Sequence, residues 1–286
     1  MNHRDLQAMR ERDGKVVGIV IGGRKCGTTW LYENFCNDPD VAVSHKVKES
    51  GFFGRADDFD FEYYGNLFPE SPGTKVEVDS SLVYSDVSSE KILAYNPRMK
   101  IALILRDPVE YAVSRYLHLL RKGQVSAAEI SDLVMNDDIL KCELDYPSML
   151  ARFEKFQRLG NMLVVPYSLL AASPETFYAM IKAHLVGPTN SGFRPKLERV
   201  NVSRSSRWLL MTSTLSRAAV WARKRRLHFL VNFAKSLKLH KQLESRVDAD
   251  QIGALRESVS RSLMAGHGAS LELYRQIESQ FVFNPE

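Results

Sequence analysis

The chain has 286 residues, of which 44% are hydrophobic and 26% charged, with a formal net charge of +5. These values describe a globular chain long enough to bury a substantial core and exclude collagen-like or low-complexity architectures. Its three cysteines, Cys26, Cys36 and Cys142, lack metal-ligand spacing, and their odd number excludes a fully paired disulfide framework; a reducing, cytoplasmic setting is the expectation.

The first residues, MNHRDLQAMRERDGK, are polar and show no apolar signal core. No run approaches the roughly 18 uninterrupted apolar residues of a membrane span. Val16–Ile21 is a short β-branched run ended by Gly22-Gly23 and is predicted to be a buried strand. Thr28–Cys36 is predicted to be a helix, stopped near Asn37-Asp38-Pro39. Further strands are predicted at Thr74–Val78, Lys100–Leu105 and Met162–Val165. The second of these, KIALIL, is nearly all apolar, as suits a strand buried on both faces. Asp107 and Pro108 supply an N-cap and a first-turn proline for the helix that follows it, and another helix is predicted over Ser173–Leu185. Strands alternating with helices predict an α/β fold: a P-loop-like, mostly parallel sheet flanked by helices.

After Arg204 the strand pattern stops. Trp208, Met211, Leu215, Ala218 and Ala222 fall on one helical face, Leu227, Val231, Ala234 and Leu237 continue the stripe, and Ile252–Phe281 is again helical in pattern. From Arg199 to Leu243 there are 11 Lys/Arg and no Asp or Glu, so the positive charge of the chain belongs to this one segment. The organisation predicted is a single domain over 1–286, with a core at about 15–207 and a basic helical C-terminal extension at about 208–286. The basic helices over 208–243 have three readings: a wall for an anionic glycan, a surface for peripheral contact with anionic membrane lipid, or a solvated amphipathic extension. No nucleic-acid reading motif accompanies the charge.

The chemistry concentrates in VVGIVIGGRKCGTTW. A glycine turn between a strand and a helix offers backbone amides and a helix dipole to a phosphate group. Gly22 and Gly27 have the spacing of a nucleotide-triphosphate loop, but Thr28 stands where that loop has its lysine, and Lys25 comes before the second glycine. Thr28 and Thr29 add hydroxyl donors. A second anion-binding element is LRDPVEYAVSRYLH, in which Arg106 ends a strand and Ser114 lies in the next helix. Two such elements at the carboxyl ends of parallel strands fit the ligand crevice of an open α/β sheet. No His/Cys/Asp cluster has metal-ligand spacing, so no metal is expected.

RKCGTTWL resembles the 5′-phosphosulfate loop of sulfotransferases that use 3′-phosphoadenosine-5′-phosphosulfate (PAPS). LRDPVEYAVSRYLH resembles that family's 3′-phosphate element, VKESGFF its K-E-P-H-F-F segment in the heparan type, and MLVVPYSLLAASPETF its strand-Tyr-helix element. The match runs in order from about Lys15 to Arg207. The resemblance implies that Arg24, Lys25, Cys26, Gly27, Thr28, Thr29 and Trp30 hold the 5′-phosphosulfate, Arg106 and Ser114 the 3′-phosphate, and that Tyr167 lies near the adenine. It implies sulfuryl transfer to a hydroxyl, with release of adenosine 3′,5′-bisphosphate (PAP), and with Lys25 stabilising charge on the leaving phosphate.

The same resemblance makes Glu49 the candidate base, with Lys48 facing the sulfuryl group or the acceptor. A carboxylate serves best as a base when its pKa is raised, and Lys48 close by would act the other way. The family's Pro and His are Ser50 and Gly51 here, and His45 and His118 are the histidines that could take over. Asp79 in VEVDSSLVY resembles an acidic residue expected to orient the acceptor or serve as an alternative base, although the proline of the family segment is Leu82. RVNVSRSSRW offers Asn201, Arg204 or Arg207 to close the nucleotide site. The acceptor implied is a sugar, glycan or glycolipid. The alternatives are a metal-dependent nucleotide kinase and a non-catalytic protein that binds anionic membranes or polyanions through its basic helices.

Overall fold

The computed structural model describes residues 16–54, 61–121, 138–189, 191–197, 205–206, 244–245 and 249–281. The chain divides into two compact units. The first comprises Met1–Asp107, Cys142–Val200 and Ala269–Glu286, and the second Pro108–Lys141 and Asn201–Gly268.

The first unit is built on a parallel sheet of five strands in the order β2-β3-β1-β4-β5. The strands are β1 (Gly18–Gly22), β2 (Val41–Ala42), β3 (Thr74–Val78), β4 (Lys100–Leu105) and β5 (Met162–Pro166). Every residue of β1 is buried, as are five of the six in β4, which is why these segments read as continuous apolar runs. β1 lies between β3 and β4, with Gly18 opposite Val76 on one side and Lys100 on the other. Gly22 is dictated by contact: a Cβ there would lie 2.7 Å from the Ile104 carbonyl oxygen.

Helix α1 (Thr28–Phe35) follows β1, as predicted, and ends one residue earlier, with Cys36 in the cap. Short α2 (Phe61–Gly65) and α3 (Ser88–Tyr95) flank β3 in sequence. Buried Phe52, Phe53 and Tyr64 form an aromatic cluster with half-buried Tyr95, with Phe52 stacked on Tyr64 at 4.3 Å. The helix expected over Ser173–Leu185 is α9 (Pro174–Leu185), and a separate turn of helix, α8 (Tyr167–Ala172), precedes it. Ser173 leaves the helical region between them, with φ −147° and ψ 86°, because a residue before proline is driven out of it. Gly18 admits α9 to the sheet, since a Cβ there would meet Leu185 at 3.1 Å. Short α5 (Asp138–Leu144), α6 (Tyr146–Arg152) and α7 (Glu154–Arg158) lead into β5. The last helix, α11 (Gly268–Ser279), is tied to this unit by Tyr146 N donating to Ser270 Oγ and by Tyr274 OH donating to Ser168 Oγ.

In the second unit, α4 (Pro108–Arg121) packs on α10 (Ala249–Gly266). α4 begins at the proline, as its fixed φ favours. α10 contributes buried Leu255, Val259 and Leu263, four residues apart on one face, and Arg256 pairs with Glu110. Ser205–Ser206 and Glu244–Ser245 form a two-residue antiparallel ladder. The helical pattern predicted over Ile252–Phe281 thus corresponds to α10 and α11. The basic segment 208–243, and with it Asn201, Arg204 and Arg207, lies outside the described residues. Among the described residues no helix is long and apolar enough to cross a membrane.

Candidate functional site

The carboxyl ends of β1, β3, β4 and β5 deliver the Gly22–Gly27 loop, Asp79, Arg106 and Tyr167. Lys25 has φ 68°, the one described non-glycine residue in the left-handed region. A side chain there is costly, by about 1 kcal/mol or more, and such strain collects where a loop must present groups to a ligand. Arg106 Nη1 secures it by donating to the Lys25 carbonyl at 3.0 Å. Gly27, at φ 80°, takes the N-cap position of α1 without a side-chain cap. Only glycine fits, since a Cβ would lie 2.6 Å from Leu170 Cδ2 and 3.0 Å from the Tyr167 ring. The helical ladder starts with Leu31 N donating to Gly27 O, so the amides of Thr28, Thr29 and Trp30 have no intrahelical acceptor. The first turn carries no acidic residue that would compete for an anion.

The Arg106 guanidinium stands over the Tyr167 ring at 4.8 Å, so Lys25, Gly27, Arg106 and Tyr167 form one cluster. Arg106 Nε is buried without a hydrogen-bond partner. Such an orphan donor beside an uncapped helix N-terminus fits an anionic group that brings several acceptor oxygens. Ser114, on α4 in the second unit, is also buried with its hydroxyl unpartnered, and His118 on the same helix is half-buried. Arg24 points outward, more than half exposed, with its Nη1 3.7 Å from buried Glu143. The Cys26 thiol is buried, and desolvation pushes its pKa up to about 12, so Cys26 packs the loop and is not a reactive thiolate. Trp30 is buried and donates through Nε1 to the Lys196 carbonyl; it anchors segment 191–197 to α1.

The Ser44–Gly51 segment reaches across to the loop. Lys48 Nζ lies 3.2 Å from Thr28 Oγ1 and 2.9 Å from Glu49 Oε1. Lys48 thus bridges the loop threonine and the carboxylate. Ser80 Oγ donates to the same oxygen, Glu49 Oε1, at 2.7 Å. Burial acts to raise the pKa of Glu49, but the hydrogen bonds from Ser80 and Lys48 outweigh it and hold the carboxyl below its usual range. Glu49 thus lacks the raised pKa that base catalysis favours and is ionised at neutral pH.

Asp79 directly follows β3. It is fully buried, and its oxygens accept from Gly51 N at 2.6 Å, Ser81 N at 2.9 Å and Ser81 Oγ at 2.6 Å. Its geometry is that of a positioning group beneath the Lys48–Gly51 turn and not of a group facing an acceptor. Gly51 has φ 62°, so the backbone that bonds Asp79 would strain the histidine found there in the resembling segment. His45 is exposed, and the structure gives it no hydrogen bond to the Lys48–Glu49 pair.

Two groups escaped sequence reasoning. Glu77 is fully buried; it accepts from Ser50 Oγ and, at 2.7 Å, from Tyr64 OH. Desolvation first, and Asp79 second, push its pKa up to about 7. A glutamate between two valines in the buried half of the strand TKVEV, two residues before Asp79, was the available signal. Ser80 had none, since serine after a strand is ordinary turn chemistry.

Residues 18–177, more than half of the chain, match the sulfotransferase domain family. The chain belongs to the sulfotransferase family. The human heparan sulfate glucosamine 3-O-sulfotransferases 3B1 and 3A1 are each 30% identical to it over 106 residues, or 36% of this chain. The matched part is only about a quarter, 27% and 26%, of those proteins' own length. The crystal structure of a sulfotransferase from Alicyclobacillus acidocaldarius shares the fold, with a TM-score of 0.55 at 21% identity over 66% of this sulfotransferase and 87% of that one.

Proposed function

We propose that this sulfotransferase moves a sulfuryl group from PAPS to a hydroxyl of a sugar, glycan or glycolipid, with Glu49 as the general base. The carrying observation is the chain of contacts Thr28–Lys48–Glu49, which joins the anion-binding loop to an ionised carboxylate within two hydrogen bonds. A base must lie beside the reacting sulfur for direct transfer, and the contacts of Lys48 with both Thr28 and Glu49 support Glu49 in that role.

The first-turn amides of α1, which have no intrahelical acceptor, and the Thr28 and Thr29 hydroxyls would hold the 5′-phosphosulfate. Arg106, with its orphan Nε, would take the 3′-phosphate. Tyr167, stacked on Arg106, would border the adenine. The acceptor oxygen forms a bond to sulfur as the bond from sulfur to the bridging oxygen breaks. Glu49 receives the hydroxyl proton, and Lys25 and the helix N-terminus stabilise the electron pair left on the phosphate. Lys48, already shared with Thr28, is placed to move its charge onto the sulfuryl oxygens. That transfer relieves the depressed pKa of Glu49 as the donor binds. The acceptor proton is also lost as the new bond forms, when its oxygen is more acidic, so a carboxylate of low pKa suffices. The mechanism asks nothing of a metal ion.

The sugar acceptor is supported by K-E-x-x-F-F, read here as Lys48-Glu49-Ser50-Gly51-Phe52-Phe53, and by the two human relatives, whose names specify heparan sulfate glucosamine. A membrane role for 208–243 remains a proposal carried by charge alone. The test is transfer of 35S from labelled PAPS to heparan sulfate, a glycolipid and a small alcohol. Glu49→Gln is expected to lower the rate by about a hundredfold or more while PAP still binds. An unchanged rate in Glu49→Gln, or failure of all three acceptors beside a glycan-free protein substrate that is sulfated, would overturn this reading.

A further inference from the structure

Glu49 is held from two directions that differ in permanence. Lys48 approaches from the Ser44–Gly51 segment itself and is shared with Thr28, which belongs to the anion-binding loop. Ser80 approaches from the end of β3, is buried, and addresses Glu49 with both its hydroxyl and its backbone amide. Its neighbour Asp79 is locked into the sheet through its own N–H, which donates to Val20 O at 3.0 Å. The side-chain donors of Lys48 and Ser80 both fall on Oε1, and no described side chain donates to Oε2.

We propose that Ser80 is a positioning residue for Glu49: its hydroxyl pins Oε1 to the rim of the sheet, so that Oε2 faces the acceptor hydroxyl. This rests on the reading of Glu49 as base and adds to it the residue that aims it. The division of labour follows from the chemistry. A lysine is a mobile point charge that an anionic donor attracts, so Lys48 cannot fix the carboxylate throughout the reaction. A serine on the strand end has nothing to exchange with the donor and keeps its bond. The charged group on Glu49 is Lys48, from its own segment, while the carboxyls of Asp79 and Glu77, from β3, meet its neighbours Gly51 and Ser50. The backbone of the segment is held separately, by Gly51 N on Asp79 and Ser50 Oγ on Glu77. Removing the Ser80 hydroxyl therefore takes away the fixed side-chain donor to Glu49 without releasing the segment.

The experiment compares Ser80→Ala, Ser80→Thr and Glu49→Gln in the full chain. Glutamate labelled with 13C at the side-chain carboxyl reports the titration of Glu49, assigned by the signal missing in Glu49→Gln. PAP affinity is measured in parallel, as is the pH profile of 35S transfer to heparan sulfate. In Ser80→Ala the Glu49 midpoint is expected to move to higher pH, because a hydrogen bond to the charged form is lost. The acid limb of the rate profile moves with it. The kcat falls about tenfold, the KM for PAPS and the PAP affinity stay within about twofold, and Ser80→Thr restores both midpoint and rate. A Glu49 midpoint in Ser80→Ala coincident with wild type, or PAP affinity falling as far as the rate, overturns the role of Ser80. A Glu49→Gln protein as active as wild type would instead remove the base reading itself. Where heparan sulfate accepts no sulfate, the carboxyl titration alone decides, because it is read on the free protein.

Discussion

Two polar clusters of the sheet unit differ in one respect. Between α9 and the turn leading to β2, Lys182 Nζ lies 2.7 Å from both Asp38 Oδ2 and Asp40 Oδ2, and Tyr178 OH donates to Asp38 at 2.5 Å. Each of these groups meets a protein partner. At the carboxyl ends of the strands, Arg106 has a buried orphan nitrogen, α1 is uncapped, and Lys25 sits in a left-handed conformation. A network that closes on itself stabilises the fold, whereas donors left open beside a strained loop are held for a ligand. Completeness of hydrogen bonding, more than the presence of charge, separates structural polar groups from functional ones.

The largest expected effect would break the closed cluster. Lys182→Met leaves Asp38 buried without its counter-ion and should cost about 3 kcal/mol or more of stability, read by denaturant unfolding. PAP affinity should not change. A stability loss under about 1 kcal/mol would mean that the cluster is not the closed network described.

The open cluster should behave in the opposite way. Arg106→Ala removes charge-assisted contacts to a phosphate and should weaken PAP binding by about 2 kcal/mol, a roughly thirtyfold loss. Its unfolding free energy should stay within about 1 kcal/mol of wild type, because only the bond to Lys25 O and the stacking on Tyr167 are lost. A protein that unfolds in step with its loss of binding would place Arg106 among the structural groups.

Glu77 sharpens the contrast, since its hydrogen bonds are made but its charge is uncompensated. Its pKa rises from 4.5 to about 7 on folding, so the folded state binds the proton more tightly than the unfolded one. The associated stability is fully present below about pH 4.5 and is lost as pH rises through about 7. Glu77→Gln should abolish that decline, leaving the variant more stable than wild type at pH 8 by roughly 1–2 kcal/mol, with the gap closing at pH 5. Thermal unfolding at the two pH values checks this; parallel Tm changes in the two proteins would contradict it.

Much of this was legible in the sequence because the informative signals are local. β1, β4 and β5 stand as mostly apolar runs of five or six residues and β3 as a shorter β-branched one; β3 and β4 have the predicted bounds, β1 is shifted to Gly18–Gly22 and β5 runs one residue further, to Pro166. β2 was not predicted, since Val41–Ala42 is too short to show any period. Within the site, Lys25, Gly27 and Arg106 are neighbours that loop spacing could suggest, and Tyr167 joined them through resemblance. The contacts of Lys48, Asp79 and Ser80 were not legible. They depend on how the Ser44–Gly51 segment crosses β3, between residues some 30 positions apart, for example Glu49 and Ser80. Gly51 shows the limit of motif reading: the substitution for histidine looked like a lost catalytic group, and the backbone makes it a conformational requirement.

We propose that the open cluster holds a nucleotide carrying phosphates at both the 3′ and 5′ positions. The most direct test is calorimetric titration with PAP, without magnesium, on wild type, Lys25→Ala and Arg106→Ala, with ADP as the control ligand. The account predicts metal-free binding that prefers PAP over ADP and weakens by about 2 kcal/mol in Arg106→Ala. Absence of PAP binding, or equal affinity for ADP with no effect of Arg106→Ala, would contradict it.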